Sequence, residues 1–319
     1  MLKAHRFALR LSRTPSILWI MLTLVIAFSL LTPEFATVSN LFNLARQGAV
    51  LAIISVGMTV VIASGGIDLS VGALVGLSGT VIAVTIQRGL SWPIAVLLGI
   101  ATCSLCGLVS GLVVAKGSVY PFIVTFGMLF MAQSISLGIT KGGSVHIDEE
   151  SFAALGHDLL LGLPTPLWIT AAVVTLVAFL VRRTVLGRYV YAIGNNATSA
   201  AWLGIDVDRY KTLVYLLSGT MAGVAGTVLA SRVVTGNALI GQGCEFDAIA
   251  AVVIGGTSLA GGSGSLLGTV MGTIVITVLR NGLSLLGLPS EVMSAVTGGT
   301  IMLAVVLAQA ILAGGTREG

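Results

Sequence analysis

Long apolar segments recur along this chain, and they restrict its fold more than any other feature. A helix needs about twenty such residues to cross a bilayer. Ten segments qualify, near 17–33, 45–64, 69–87, 93–115, 121–140, 165–182, 211–231, 246–260, 265–286 and 291–313, some only by counting a glycine-rich end. In hydrocarbon each backbone N–H and C=O must find its partner inside the segment, so each segment crosses as a helix. A soluble chain of 319 residues would need a charged surface, whereas only 9% of these residues are charged and the mean hydropathy is +1.05. The sequence therefore predicts an all-α, polytopic membrane protein, a bundle of about ten transmembrane helices forming one domain over 1–319. Glycine clusters at 64–72 and 255–264 interrupt long apolar runs, so the third and eighth spans are the least well bounded.

Charge placement sets an orientation. If residues 1–16 are a cytoplasmic tail and all ten segments cross, Lys3, Arg6, Arg10, Arg13, Lys116, Arg182, Arg183, Arg188, Arg209, Lys211 and Arg317 share the cytoplasmic side. Those are eleven of the sixteen basic residues, and the outer side receives only Arg46, Arg88, Lys141 and Arg232, with the acidic Asp148, Glu149, Glu150 and Asp158 in a loop at 141–164. This is the positive-inside bias, with both termini cytoplasmic. The run from Ile17 to Thr32 has no small-x-small cleavage site before Pro33 and Glu34, and reads as a retained span. The net charge of +4 follows from this placement, and with no basic patch interleaved with aromatics a nucleic-acid partner is not expected.

Metal and redox chemistry find little support. Cys103 and Cys106 form a C-x-x-C inside an apolar span, where small helix-packing residues are the simpler account. His5, His146 and His157 are scattered and form no ligand set, so no metal site is expected. Glycines at four-residue spacing, Gly72/Gly76, Gly107/Gly111, Gly219/Gly223 and Gly264/Gly268/Gly272, suit close helix contacts in lipid. Val60-Val61-Ile62 with Gly72-x-Leu74-x-Gly76 is echoed 192 residues later by Val252-Val253-Ile254 with Gly264-x-Leu266-x-Gly268, which fits either an internal duplication or chance likeness between glycine-rich strings.

Ionisable groups at membrane depth point to function. Asp68, in Ser64-Gly65-Gly66-Ile67-Asp68-Leu69-Ser70, can cap the following helix or belong to a broken-helix substrate or gating site. Arg280 can snorkel to the outer interface. Asn281 beside it is the better contact for a neutral polar solute, and Asp68, Ser70 and Asn281 are the expected substrate-pathway residues. No partner for Asp68 or Arg280 is evident in the sequence, which disfavours ion coupling. No G-x-x-x-x-G-K-[ST] occurs, so energy from a nucleotide would have to enter through another subunit.

Arg182 to Lys211 is the only long charged segment between apolar ones. Asn195 or Asn196 can cap a short helix over Ala197 to Leu203 that Gly204 ends. Its small residues would face outward, with Trp202, Leu203 and Ile205 as anchors. Two readings fit this helix: an interfacial one with Trp202 among lipid headgroups, and one seated in a groove of a cytoplasmic ATPase.

Four strings carry a resemblance over nearly the whole chain: VGMTVVIASGGIDLSVGALVGLSG at 56–79, GRYVYAIGNNATSAAWLGI at 187–205, FDAIAAVVIGGTSLAGGSGSLLGTVMG at 246–272 and NGLSLLG at 281–287. Together they resemble the ribose-type permeases of bacterial ATP-binding-cassette sugar importers; Phe246 departs from the Leu more usual before Asp-Ala-Ile-Ala. The resemblance implies a type II importer fold in the inner membrane and a second permease subunit, identical or closely homologous. It also implies a periplasmic sugar-binding protein and a cytoplasmic ATPase of two fused cassettes that binds ATP and Mg, leaving this chain without a cofactor or catalytic site. On the same ground the coupling loop 183–210 is similar to the segment that docks on the ATPase, through Asn195, Asn196, Ala197, Ala200, Ala201, Trp202, Leu203 and Gly204. Lys141 and Arg232 are the outer basic candidates for meeting the binding protein. Two other readings are a secondary sugar carrier, against which the missing ion relay argues, and a membrane-embedded enzyme acting on lipid-linked sugar. The latter has only His146 with 148–150 to offer, a cluster that a solvated outer loop explains more simply.

Overall fold

In the computed structural model, which describes residues 2–300 and 302 with side chains from Ile17 onward, most of the chain is helical. The elements in chain order are α1 (Leu2–Leu31), α2 (Val38–Ala63), α3 (Val71–Gln87), α4 (Trp92–Lys116), α5 (Pro121–Thr140), β1 (Val145–His146), α6 (Glu150–His157), β2 (Leu159–Leu160), β3 (Leu163–Pro164), α7 (Thr165–Arg183), α8 (Val185–Asn195), α9 (Ala197–Trp202), α10 (Val207–Val233), β4 (Thr235–Gly236), α11 (Cys244–Ile254) and α12 (Leu266–Leu285). A further helix starts at residue 290.

Local chemistry explains many of the helix starts. Proline occupies the first turn of α4, α5 and α7, where its missing N–H costs nothing. Thr37, Asp206 and Ser265 cap α2, α10 and α12 by accepting from backbone N–H groups of the first turn. Among the described residues six helices are long and apolar enough to cross a membrane: α2, α4, α5, α7, α10 and α12. Residues 17–31 of α1 and all of α3 are shorter apolar helices.

Burial separates these spans into two layers. About three quarters of the apolar stretch is buried in α2, α10 and α12, against roughly a quarter in α4, α5 and α7. The first three therefore form the core, and the others present Leu, Ile and Phe outward. The α4–α10 seam is backbone against backbone: a Cβ on Gly107 would strike the carbonyl of Tyr215, and one on Gly219 the carbonyl of Cys103. These glycines do the packing that their spacing suggests. Hydroxyl pairs tie the helices further, Thr59 to Thr269 at 2.7 Å between α2 and α12 and Thr80 to Ser136 at 2.6 Å between α3 and α5.

The structure departs from the ten-segment reading at the eighth segment. The eighth segment, 246–260, is the eleven-residue α11, about 16 Å long at 1.5 Å per residue and too short to cross. It stops because Gly256 (φ 85°) turns the chain and residues 255–265 continue without helix. The tenth segment, 291–313, is helical over 291–300, and most of the remainder lies outside the described residues. The outer loop 141–164 is folded: β1 pairs antiparallel with β4, β2 with β3, and α6 lies between.

The sequence echo corresponds to one turn used twice. At the end of α2 the N–H groups of Ser64, Gly65 and Gly66 bond the carbonyls of Val60, Ile62 and Val61; at the end of α11 those of Gly255, Gly256 and Thr257 bond Ala251, Val253 and Val252. Both are glycine-closed helix C-termini with 5→2 and 6→1 bonds. The structural register is one residue out of step with the sequence echo.

Candidate functional site

Two helices begin inside the bundle and run in opposite directions from neighbouring starts. Helix α3 starts at Val71, after 64–70 has folded back from the end of α2. Its depth is fixed by α10: Ser218 Oγ donates to Asp68 Oδ2 at 2.7 Å, and Ser78 Oγ donates to the Gly223 carbonyl at 2.9 Å. The first turn of α3 is thus level with residues 218–223, midway between Lys211 and Arg232, about 15 Å from either charged end. From the end of α10 the chain returns along the glycine face of α3, with Gly236 against Gly79, Ala238 against Gly76 and Gly241 against Gly72. At Gly243 (φ 88°) it turns into α11, which runs back beside α12. Gly72 lets Glu245 approach the start of α3, since a Cβ there would collide with Glu245 Oε2.

Each predicted pathway residue now has a place. Asp68 is buried and fully engaged, accepting from Ser70 N–H at 2.9 Å, Ser70 Oγ at 2.6 Å and Ser218 Oγ at 2.7 Å. Its bond to the Ser70 N–H is a local turn ahead of the helix: Ser70 is the N-cap of α3, and no side chain caps the first turn. Ser70 is buried beside it. Asn281 is elsewhere. Its amide exchanges two hydrogen bonds of 2.9 Å with Asn40, near the opposite end of α2, so it lies about 35 Å along that helix from Ala63. The three residues do not form one site.

Arg280 has a partner that sequence reading missed. Its Nη1 lies 2.7 Å from Asp247 Oδ2, tying the first turn of α11 to the last third of α12. Glu245 and Asp247 are the overlooked membrane-depth carboxylates, 4% and 3% exposed, and Glu245 Oε2 and Asp247 Oδ1 accept no hydrogen bond. The signal was available, because Asp247 falls within an apolar segment and its carboxylate could pair with Arg280.

At the other end of α11 lies the charged segment. It is two helices and not a loop. Asn196 is the cap of α9, accepting from Ser199 N–H at 2.8 Å, and Gly204 (φ 81°) follows its end. The small residues Thr198, Ser199 and Ala201 face outward as expected, but within the chain Ala200 is the buried residue that anchors α9, while Trp202 and Leu203 are 84% and 81% exposed. Ala197 is half-buried; Asn195, Asn196, Ala201 and Gly204 are exposed. Asn195 ends α8 and donates from Nδ2 to the Tyr191 carbonyl at 2.7 Å and to the Gly262 carbonyl at 3.1 Å. Gly262 N–H in turn bonds the carbonyl of Ala63 at 3.0 Å. The α8–α9 unit is thereby joined to the ends of both α2 and α11, beside a cleft of about 460 Å³ lined in part by Arg182, Tyr191 and Ser265.

The α6 side carries the other predicted contacts. Lys141 is exposed at the left-handed end of α5 (φ 53°), and Arg232 is half-buried with its backbone against Gly156 of α6. Arg46 donates to the His157 carbonyl at 2.8 Å, which places the start of α2 on this side. His146 and Asp148 form an exposed 3.3 Å pair, without the enclosed carboxylate set an enzyme site would need. No group of three or more metal-ligating side chains occurs among the described residues.

Residues 40–305 match the family described as "Branched-chain amino acid transport system / permease component". The chain belongs to that permease family. It is similar to the ribose import permease protein of Escherichia coli, 40% identical over 291 residues, covering 90% of this chain and 91% of that one. The ribose import permease protein of Bacillus subtilis is 39% identical over 286 residues, 89% of each chain. The L-arabinose ABC transporter permease protein of Azospirillum brasilense is 33% identical over 293 residues, 92% of this chain and 86% of that one. With six candidate spans this makes the permease a multi-pass inner-membrane transport subunit of an ABC importer, a class that works with an ATPase and a binding protein.

Proposed function

We propose that this permease carries a small sugar, a ribose-like monosaccharide, into a bacterial cell by alternating access driven by a separate ATPase. The observation that carries the reading is the 40% identity over 90% of the chain to a ribose import permease. In this reading 1–319 is one permease domain of the type II importer kind with about ten spans and both termini cytoplasmic. Residues 1–16 form the cytoplasmic tail, 141–164 the periplasmic cover and 183–210 the coupling segment. Two copies, or one copy and a close homologue, enclose the pathway between them. An ATPase of two fused cassettes binds ATP and Mg and receives α9, and a periplasmic sugar-binding protein meets the outer face at Lys141 and Arg232.

Two exposed apolar side chains at the end of a six-residue helix support the docking assignment, because Trp202 and Leu203 have no cover among the described residues. Their basic neighbours Arg182, Arg183, Arg188, Arg209 and Lys211 support a cytoplasmic position. The test is reconstitution in proteoliposomes with the ATPase and binding protein. Ribose uptake is expected to require ATP and loaded binding protein, and Trp202→Asp with Leu203→Asp to abolish ATPase association while leaving the permease folded. Uptake driven by an ion gradient with no ATPase present would instead identify a secondary carrier.

A further inference from the structure

Gln242 is a polar side chain exposed halfway through the membrane-spanning layer. Its depth follows from Gly241, whose backbone is seated on Gly72 in the first turn of α3. At that level the surroundings are lipid, a second chain or a water-filled path. The Gln242 amide makes no side-chain hydrogen bond among the described residues, and an amide facing hydrocarbon without a partner is unfavourable. Phe246, in the first turn of α11, is 53% exposed. Behind them Glu245 and Asp247 are buried with one oxygen each unpartnered, at the free N–H end of an eleven-residue helix.

We propose that the first turn of α11 is the mid-membrane contact point for the cargo. There the Gln242 amide exchanges hydrogen bonds with sugar hydroxyls, and the Phe246 ring covers the C–H face of the sugar. The chemistry suits a neutral polyol. The two side chains facing outward are uncharged, and Asp247 is already neutralised by Arg280. One apolar surface beside a few placed polar groups is how proteins recognise small ligands with both kinds of surface. This inference rests on the sugar-permease reading above.

Two measurements on the reconstituted complex test it. Gln242→Leu and Phe246→Ala are each expected to lower ATP-driven ribose uptake about tenfold, roughly the loss of one good polar or apolar contact, with ATPase activation by loaded binding protein retained. In a second measurement, Gln242→Cys is treated with a membrane-impermeant charged thiosulfonate, and labelling is read as the increment over the parent chain with its native cysteines. Labelling is expected, and ribose-loaded binding protein with ATP is expected to slow it. Labelling only by a lipid-soluble maleimide places the turn against lipid, labelling by neither reagent places it under protein, and either result overturns the inference. So does wild-type uptake by Gln242→Leu. If the unsubstituted complex carries no ribose, the sugar reading is what fails, and the labelling still decides whether this turn faces water.

Discussion

Asn195, the last residue of α8, donates from Nδ2 to the carbonyl of Gly262, 3.1 Å away and 67 positions along the chain. That bond joins the exposed α8–α9 unit to the turn between α11 and α12, and Gly262 passes the connection to Ala63 at the end of α2. Asn195→Ala removes the tie without touching the exposed Trp202 and Leu203. The expected outcome is a transporter that assembles and hydrolyses ATP but moves several-fold less sugar per ATP. Parallel ATPase and uptake assays on the same vesicles check it, and unchanged stoichiometry would show that the tie transmits nothing.

The Arg280–Asp247 pair is predicted to matter for stability through the partner left behind. Asp247 is almost fully buried and Arg280 is about a third exposed. Removing one member of a buried pair costs about 3–5 kcal/mol, and less where one member reaches solvent. Arg280→Leu should therefore lower the melting temperature in detergent, and Asp247→Leu with Arg280→Leu should recover most of the loss. A double variant no more stable than the single one would place the cost in packing and not in the stranded carboxylate.

The membrane class, the core spans and the α9 helix were legible because hydropathy and capping are local. The apolar segments 45–64 and 211–231 make up most of α2 and α10, whose capped starts at Thr37 and Asp206 lie several residues earlier. What failed to show was whatever depended on depth. Residues 246–260 are apolar enough to be taken for a span, and although the glycine cluster at 255–264 blurred its end, composition does not reveal that Gly243 and Gly256 cut the helix to half a crossing. Asn281 looked available to a solute because its partner Asn40 is 241 positions away. The anchor of α9 was misassigned because six residues give too little periodicity to separate a buried Ala200 from an exposed Trp202.

The α4–α10 seam gives a prediction with an internal control. Gly219 faces the Cys103 carbonyl and Gly107 across a backbone contact, whereas Gly127 on α5 has open space where a Cβ would go. Gly219→Val must push the two helices apart and is expected to lower folded yield and melting temperature sharply. Gly127→Ala should leave both unchanged or slightly raised, since alanine is favoured in a helix by roughly 0.5–1 kcal/mol over glycine. Size-exclusion profiles and thermal melts in the same detergent compare them.

Asp68 combines three accepted hydrogen bonds in a buried setting, and the nature of the replacement should decide the result. Asn keeps an oxygen for the Ser70 N–H and hydroxyl, and its amide can donate to Ser218 Oγ, because a hydroxyl accepts as readily as it donates. Ala leaves the Ser70 and Ser218 hydroxyls buried without that acceptor, a cost of about 1–3 kcal/mol for each group that finds no other. The expected order of melting temperature is wild type, then Asp68→Asn, then Asp68→Ala. Ribose uptake should follow the same order if Asp68 serves to hold the start of α3 against α10. Asp68→Asn that melts like wild type but transports nothing would show that the negative charge itself is required, and would return Asp68 to the transport step that the sequence first suggested for it.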